Sequence, residues 1–253
     1  MPIATLSPKQ QEILERDALI LEVAREMLLE RGYFGLTMDR LADASNCPKG
    51  TMYQRFGCKE DIILALALRS LDRRSTMMAR AAAFEGRTRE RVLAFGEAVA
   101  LFARLYPDDS RILHTATGPI REKASIERVT ALRDKEHEAV GMLHALLREA
   151  VARGELLLDN EGATIEEMAF GIWALVDGSF TLIESGIPEN ALGIRDPFTR
   201  MFRAFNVLAD GYGWRPLFRE RDWEEMLADV RRTIFPEEAQ AVYGPGQWYG
   251  DKG

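Results

Sequence analysis

Apolar residues recur along this chain at the three-to-four-residue spacing of amphipathic helices, and no stretch alternates as a half-buried strand would. Ser7-Pro8-Lys9-Gln10 opens the first helix: Ser7 can cap, Pro8 takes the first helical position and Gln10 can close a capping box. Its stripe through Ile13, Leu14, Leu21, Ala24 and Leu28 faces a core, and Gly32 stops it. Thr37 caps a second, short helix through Leu41 and Ala44. Asn46-Cys47-Pro48 is a turn, Lys49 to Phe56 a third helix, and Gly57-Cys58 precedes a long fourth one. That helix opens with Glu60 and Asp61 and runs to about Phe84.

Downstream, Thr88 opens a helix ending near Tyr106-Pro107, a short segment through Leu113 ends at Gly118-Pro119, and a single helix is expected over roughly Ile120 to Arg153, stopped by Gly154. Thr164-Ile165-Glu166-Glu167 is a capping box for an unusually apolar helix to Gly186. Asp196-Pro197 opens another, with Phe198, Phe202, Phe205 and Ala209 at helical spacing. Asp222-Trp223-Glu224-Glu225 starts a last helix ending before Pro236, and the tail from Glu237 onward is expected to be irregular. The fold class is all-α.

Composition narrows this little. The chain has 253 residues, 47% hydrophobic and 29% charged, and no uncharged apolar run near the ~20 residues of a membrane span. Met1 to Pro8 lacks a basic region followed by an apolar stretch, and only Cys47 and Cys58 are present, so a cytoplasmic protein with no membrane partner is expected. Charge is more informative. The net value is −7, yet residues 1–76 carry 11 basic and 11 acidic residues, so the whole excess of acid lies in residues 77–253. An uneven split suggests two parts with different partners.

Two short helices joined by a tight turn and preceded by a third that supplies core form a helix-turn-helix, and residues 37–56 meet that description. Leu41, Ala42, Met52 and Phe56 hold the pair together, which leaves Lys49, Thr51, Tyr53, Gln54 and Arg55 outward. Such a surface suits a DNA major groove, where amide and guanidinium groups read base edges and hydroxyls bond phosphates. Spacing alone is equally compatible with an ordinary helical corner with a solvated outer face.

The residue types favour the first reading. Ala24 to Met38 (AREMLLERGYFGLTM), then Leu41-Ala42, then Lys49 to Phe56 (KGTMYQRF) and Lys59-Glu60 closely resemble the amino-terminal domain of the TetR family of transcriptional regulators, over about residues 18–70. The resemblance implies a homodimer with one helix-turn-helix per subunit, whose separation changes when a small-molecule effector binds the larger domain. Lys49, Thr51, Gln54 and Arg55 would then face bases or nearby phosphates, Thr37, Tyr53 and Lys59 would hold the DNA backbone, and Gly50 would allow close approach of the main chain. Two-fold symmetry implies a pseudo-palindromic operator with reading heads ~34 Å apart or somewhat more. Cys47 replaces the family's usual small aliphatic residue and Cys58 its usual Ser, Asp or Asn cap, a weaker cap by roughly 0.5–1 kcal/mol. The two Cα atoms should stand roughly 16 Å apart, too far for a disulfide, and oxidation of Cys58 alone is the remaining redox possibility.

On this basis residues 1–62 are expected to be the helix-turn-helix DNA-binding domain, residues 63–213 the effector-binding and dimerisation domain, and residues 214–253 an extension with one helix. The family's last two core helices usually form the dimer interface, which assigns Gly171, Leu175, Gly178 and Leu182, with Phe202, Phe205 and Leu208, to dimerisation. Asp177, in an apolar run, is expected to be a buried carboxylate needing a partner, and Phe95, Phe102, His114, Met142 and Trp173 could line a mostly apolar effector pocket with it. Each of these six could equally be ordinary core or surface. The alternative classes are a helical enzyme and a dimer that does not bind DNA. His137-Glu138-Ala139-Val140-Gly141 begins like a zinc-protease motif, but Gly141 replaces the second His; His137 and His144 stand ~10 Å apart, too far for one ion. No catalytic residue, metal or cofactor is expected.

Overall fold

In the computed structural model, which describes residues 7–158 and 163–249, every regular element is helical. Helix α1 (Pro8–Gly35) opens with the expected capping box, Ser7 N–H donating to Gln10 Oε1 at 2.9 Å and Gln10 N–H donating to Ser7 Oγ at 3.3 Å. Gly32 interrupts it at φ 65°, a value that costs glycine little. Helices α2 (Met38–Ala44) and α3 (Lys49–Arg55) follow, then α4 (Lys59–Ala81), which stops three residues short of Phe84. Helices α5 (Thr88–Leu105) and α6 (Pro107–Thr115) come next.

The single helix expected over 120–153 is two, α7 (Gly118–Lys123) and α8 (Ile126–Ala152). Ala124 between them is extended, and the buried Asp61 accepts the Ser125 N–H at 2.7 Å. The Ser125 hydroxyl in turn accepts from Arg128 N–H at 3.4 Å, so the break is held by a residue 64 positions away that no local pattern reveals.

Helix α9 (Ile165–Glu184) carries the expected Thr164–Glu167 box. A short α10 (Ile187–Leu192) between two left-handed glycines, Gly186 and Gly193, lies outside the sequence expectations. Helix α11 (Pro197–Gly211) is capped by Asp196 and α12 (Trp223–Thr233) by Asp222. The expected irregular tail is corrected in part: Pro236–Tyr243 is a helix, α13, with Ala239 buried, and α12 and α13 both pack on α5. Residues 250–253 lie outside the described residues.

Packing groups the chain as Met1–Leu71 with Ile112–Lys135, and Asp72–Arg111 with Glu136–Gly253. The first unit has one apolar core in which Ile20, Ala24, Leu41, Met52 and Ile63 meet Ile112, Ile120 and Leu132. The second contains a cluster of Ala103, Phe180 and Met201, with Val99, Val176 and Phe198 against it. No helix among the described residues is long and apolar enough to cross a membrane.

Candidate functional site

The turn between α2 and α3 is closed from within. Ser45 Oγ donates to Leu41 O at 2.6 Å, Cys47 N–H donates to Ala42 O at 2.9 Å, and Asn46 takes φ 50°, a left-handed value that Asn tolerates. Thr37 caps α2 by accepting the Arg40 N–H at 3.3 Å. With Met52 wholly buried beneath it, α3 turns Lys49, Gly50, Tyr53 and Gln54 to the surface, Thr51 being half-buried. A Cβ built on Gly50 would meet nothing within 4 Å, so no contact inside the chain requires glycine there.

Two expected DNA contacts are engaged within the unit instead. Arg55 forms a two-pronged pair with Asp17 of α1, its Nε donating to Oδ1 at 2.7 Å and a terminal nitrogen donating to Oδ2. This bond raises the guanidinium pKa and clamps the end of α3 onto α1. Lys59 donates to Tyr33 O at 2.9 Å and lies 3.7 Å from the centre of the Tyr33 ring. The Tyr33 hydroxyl donates to the buried Glu60, which raises the phenol's pKa. Lys49 pairs with Asp39 at 2.8 Å, but both side chains are more than half exposed, so water and DNA compete for it readily. Sequence reasoning missed Asp17 and Tyr33 because their partners lie 38 and 26 residues away.

Cys47 is buried and Cys58 half-buried, both as free thiols. Burial pushes the Cys58 thiol up despite a bond from the Asp61 N–H, and a raised thiol is a poor redox sensor.

Residues 20–66 match the family model of bacterial regulatory proteins, tetR family. The chain carries a TetR-family domain. Over 48 residues the sequence is 46% identical to the helix-turn-helix transcriptional repressor AcnR of Corynebacterium glutamicum, a match covering 19% of this chain and 26% of AcnR, so it spans about a quarter of that curated relative. The TetR-family transcriptional regulator PfmR of Thermus thermophilus is similar in structure, with a TM-score of 0.56 and 18% identity over 75% of this chain and 96% of that one. So is FadR of Bacillus subtilis, solved with stearoyl-CoA, with a TM-score of 0.58 and 16% identity over 77% and 98%. At such identities the likeness is one of fold.

Outside the TetR-family domain the expected effector residues do not form one group. His114 belongs to the first unit, and Phe95, Phe102, Met142, Trp173 and Asp177 to the second. Phe102 is buried, Phe95 and Met142 are half-buried, and Trp173 and Asp177 are exposed on α9. The expectation of a buried carboxylate is thus corrected: Asp177 stands on the open arc of α9, where water solvates it. A cleft of about 450 Å³ in the second unit is lined by Arg87, Glu90, Pro216, Glu220 and Arg221 and contains none of these residues.

The dimer residues divide too. Phe202 and Phe205 are buried within their own unit, which corrects their place on an outer face. Gly171 faces α11, where an added Cβ would make only an ordinary contact with Leu208 Cδ2 at 3.9 Å. Gly178 and Leu182 are exposed, and Leu175 and Leu208 half-buried. The outward arc of α11 is Ala204, Val207 and Gly211, flanked by Arg200 and Arg203.

Proposed function

We propose that this chain is a ligand-responsive, sequence-specific DNA-binding repressor that grips a pseudo-palindromic operator as a homodimer and is released by a small molecule. The observation that carries the reading is α3 itself, a short helix fixed from below by Met52 and from its end by Arg55–Asp17, with Lys49, Tyr53 and Gln54 presented around an open Gly50. In this reading Gln54 reads a base edge, Tyr53, Thr37 and Lys49 hold phosphates, and Arg55 and Lys59 act mainly by positioning α3. Dimerisation uses the small and apolar residues that α9 and α11 leave exposed: Ala174, Gly178 and Leu182 on one, Ala204, Val207 and Gly211 on the other. Their small size lets a second copy approach closely, as helix pairs in four-helix interfaces do.

Selection of a random duplex library by the purified protein, sequenced at two salt concentrations, tests the proposal. Enrichment of an inverted repeat, lost steeply as salt rises, is the expected result. Because the first 76 residues are neutral and the rest acidic, affinity for unselected DNA should be weak; tight sequence-independent binding at about 150 mM salt would contradict the reading.

A further inference from the structure

Three guanidinium groups among the described residues bury an Nε that has no hydrogen-bond partner: Arg74, Arg89 and Arg104. Two of them are nevertheless anchored through their terminal nitrogens. Arg89 holds Asp210, Asn206 and two carbonyls, and Arg104 holds Asp196 at 2.6 Å. Arg74, on α4 in the second unit, forms no hydrogen bond or ion pair among the described residues. Glu136 of α8 and Asp177 of α9 act on it only through their field, and burial pulls its pKa down without discharging a group this basic.

A buried donor left unsatisfied is a cost that the chain could avoid with an apolar residue, so its retention is informative. The edge formed by Nε and one terminal nitrogen offers two parallel N–H groups, the geometry that a carboxylate accepts with both oxygens. The helices that carry these two acids are apolar beside them: Val140 and Leu143 lie four and seven positions beyond Glu136 on the same helical face, and the exposed Trp173 one turn before Asp177. From these observations we propose that Arg74 is the cation of the effector site and that the effector is an apolar organic acid whose carboxylate fills the unsatisfied edge. The inference rests on the regulator reading only for its consequence, release of DNA; binding itself is independent of DNA.

Calorimetry on the full-length protein with decanoate and 1-naphthoate, each against its uncharged alcohol, is the direct test. Wild type should prefer at least one acid to its alcohol by at least tenfold, and Arg74→Met should abolish the preference while raising the ligand-free melting temperature, because an unsatisfied charge has been removed. If Arg74→Met fails to fold, Arg74→Gln carries the same comparison, keeping bulk and losing the charge. No preference in wild type, or a preference that the variant keeps, overturns the proposal. Acid binding through Arg74 in a protein that enriches no operator would leave this site standing and remove the regulator reading instead.

Discussion

The two units use charge in opposite ways. On α2 and α3 the charges lie at the surface in pairs that water already loosens, such as Lys49–Asp39, and the one tight pair, Arg55–Asp17, is partly exposed at the edge of the unit. Around α5 two arginines are buried and held by their partners. Arg89 is wholly enclosed, bonding Asp210, Trp214 O and Pro216 O at 2.7 Å each, with Asn206 Oδ1 at 2.8 Å. Arg231 of α12 grips the buried Glu97 at 2.7 and 3.1 Å and donates to Trp248 O at 2.7 Å. A charged side chain is thus a loosely held surface group in one unit and a rivet in the other. A formal count of charges says nothing about which; only the partner and the solvent around it do.

The largest effect should come from breaking a rivet. Glu97→Leu leaves Arg231 buried beside an apolar residue, and a loss of about 3–5 kcal/mol is expected, read from urea unfolding. The double change Glu97→Leu with Arg231→Met should recover most of it. A single variant as stable as the parent would mean that this pair does not hold α12 and α13 on α5.

Next come the positions proposed to read DNA, where stability should hardly move. Gln54→Ala should cost about 1–3 kcal/mol of operator binding and relax the preference at particular base pairs, whereas Tyr53→Ala should weaken all duplexes alike. Measuring both variants against the selected repeat and single-base changes of it separates these outcomes. A Tyr53→Ala protein with altered preference and undiminished general affinity would reverse the two roles.

Arg55 lies between the two regimes, so it sharpens the contrast. If it positions α3, then Arg55→Met and Asp17→Asn should lose similar stability, about 1–2 kcal/mol for a charged bond discounted for partial exposure, and should weaken operator binding alike. If Arg55 reads a base, only its own replacement changes base preference, and Asp17→Asn leaves the selected motif intact.

What was legible in the sequence was local. Ser7 with Gln10, Thr37, Thr164 with Glu167, and Asp222 announced their helices because a cap needs only a side chain three residues from an N–H. Exposure of Tyr53 and Gln54 followed from the apolar spacing of Met52 and Phe56. The rest depended on distant partners. Asp61 breaks 120–153 at Ser125, Asp17 takes Arg55 out of the outward set, and α13 is held where Arg80 of α4 reaches Glu238. For Phe202 and Phe205, periodicity showed an apolar face truly, but could not say whether that face meets its own chain or a second copy.

The smallest effect is the most discriminating for the role proposed for α3. Gly50 lies inside α3 at an ordinary helical φ, exposed, with open space where a Cβ would stand. Ala is a better helix former by roughly 0.5–1 kcal/mol and restricts the unfolded chain, so Gly50→Ala should raise the melting temperature slightly. If glycine is there because a DNA backbone comes close, the added methyl must meet the phosphates and operator affinity should fall even as the protein becomes more stable. Thermal unfolding and operator titration on one preparation read both signs at once. Stability and affinity rising together would show that the α3 surface near Gly50 stands clear of the duplex, and would move the contact towards Tyr53 and the far end of the helix.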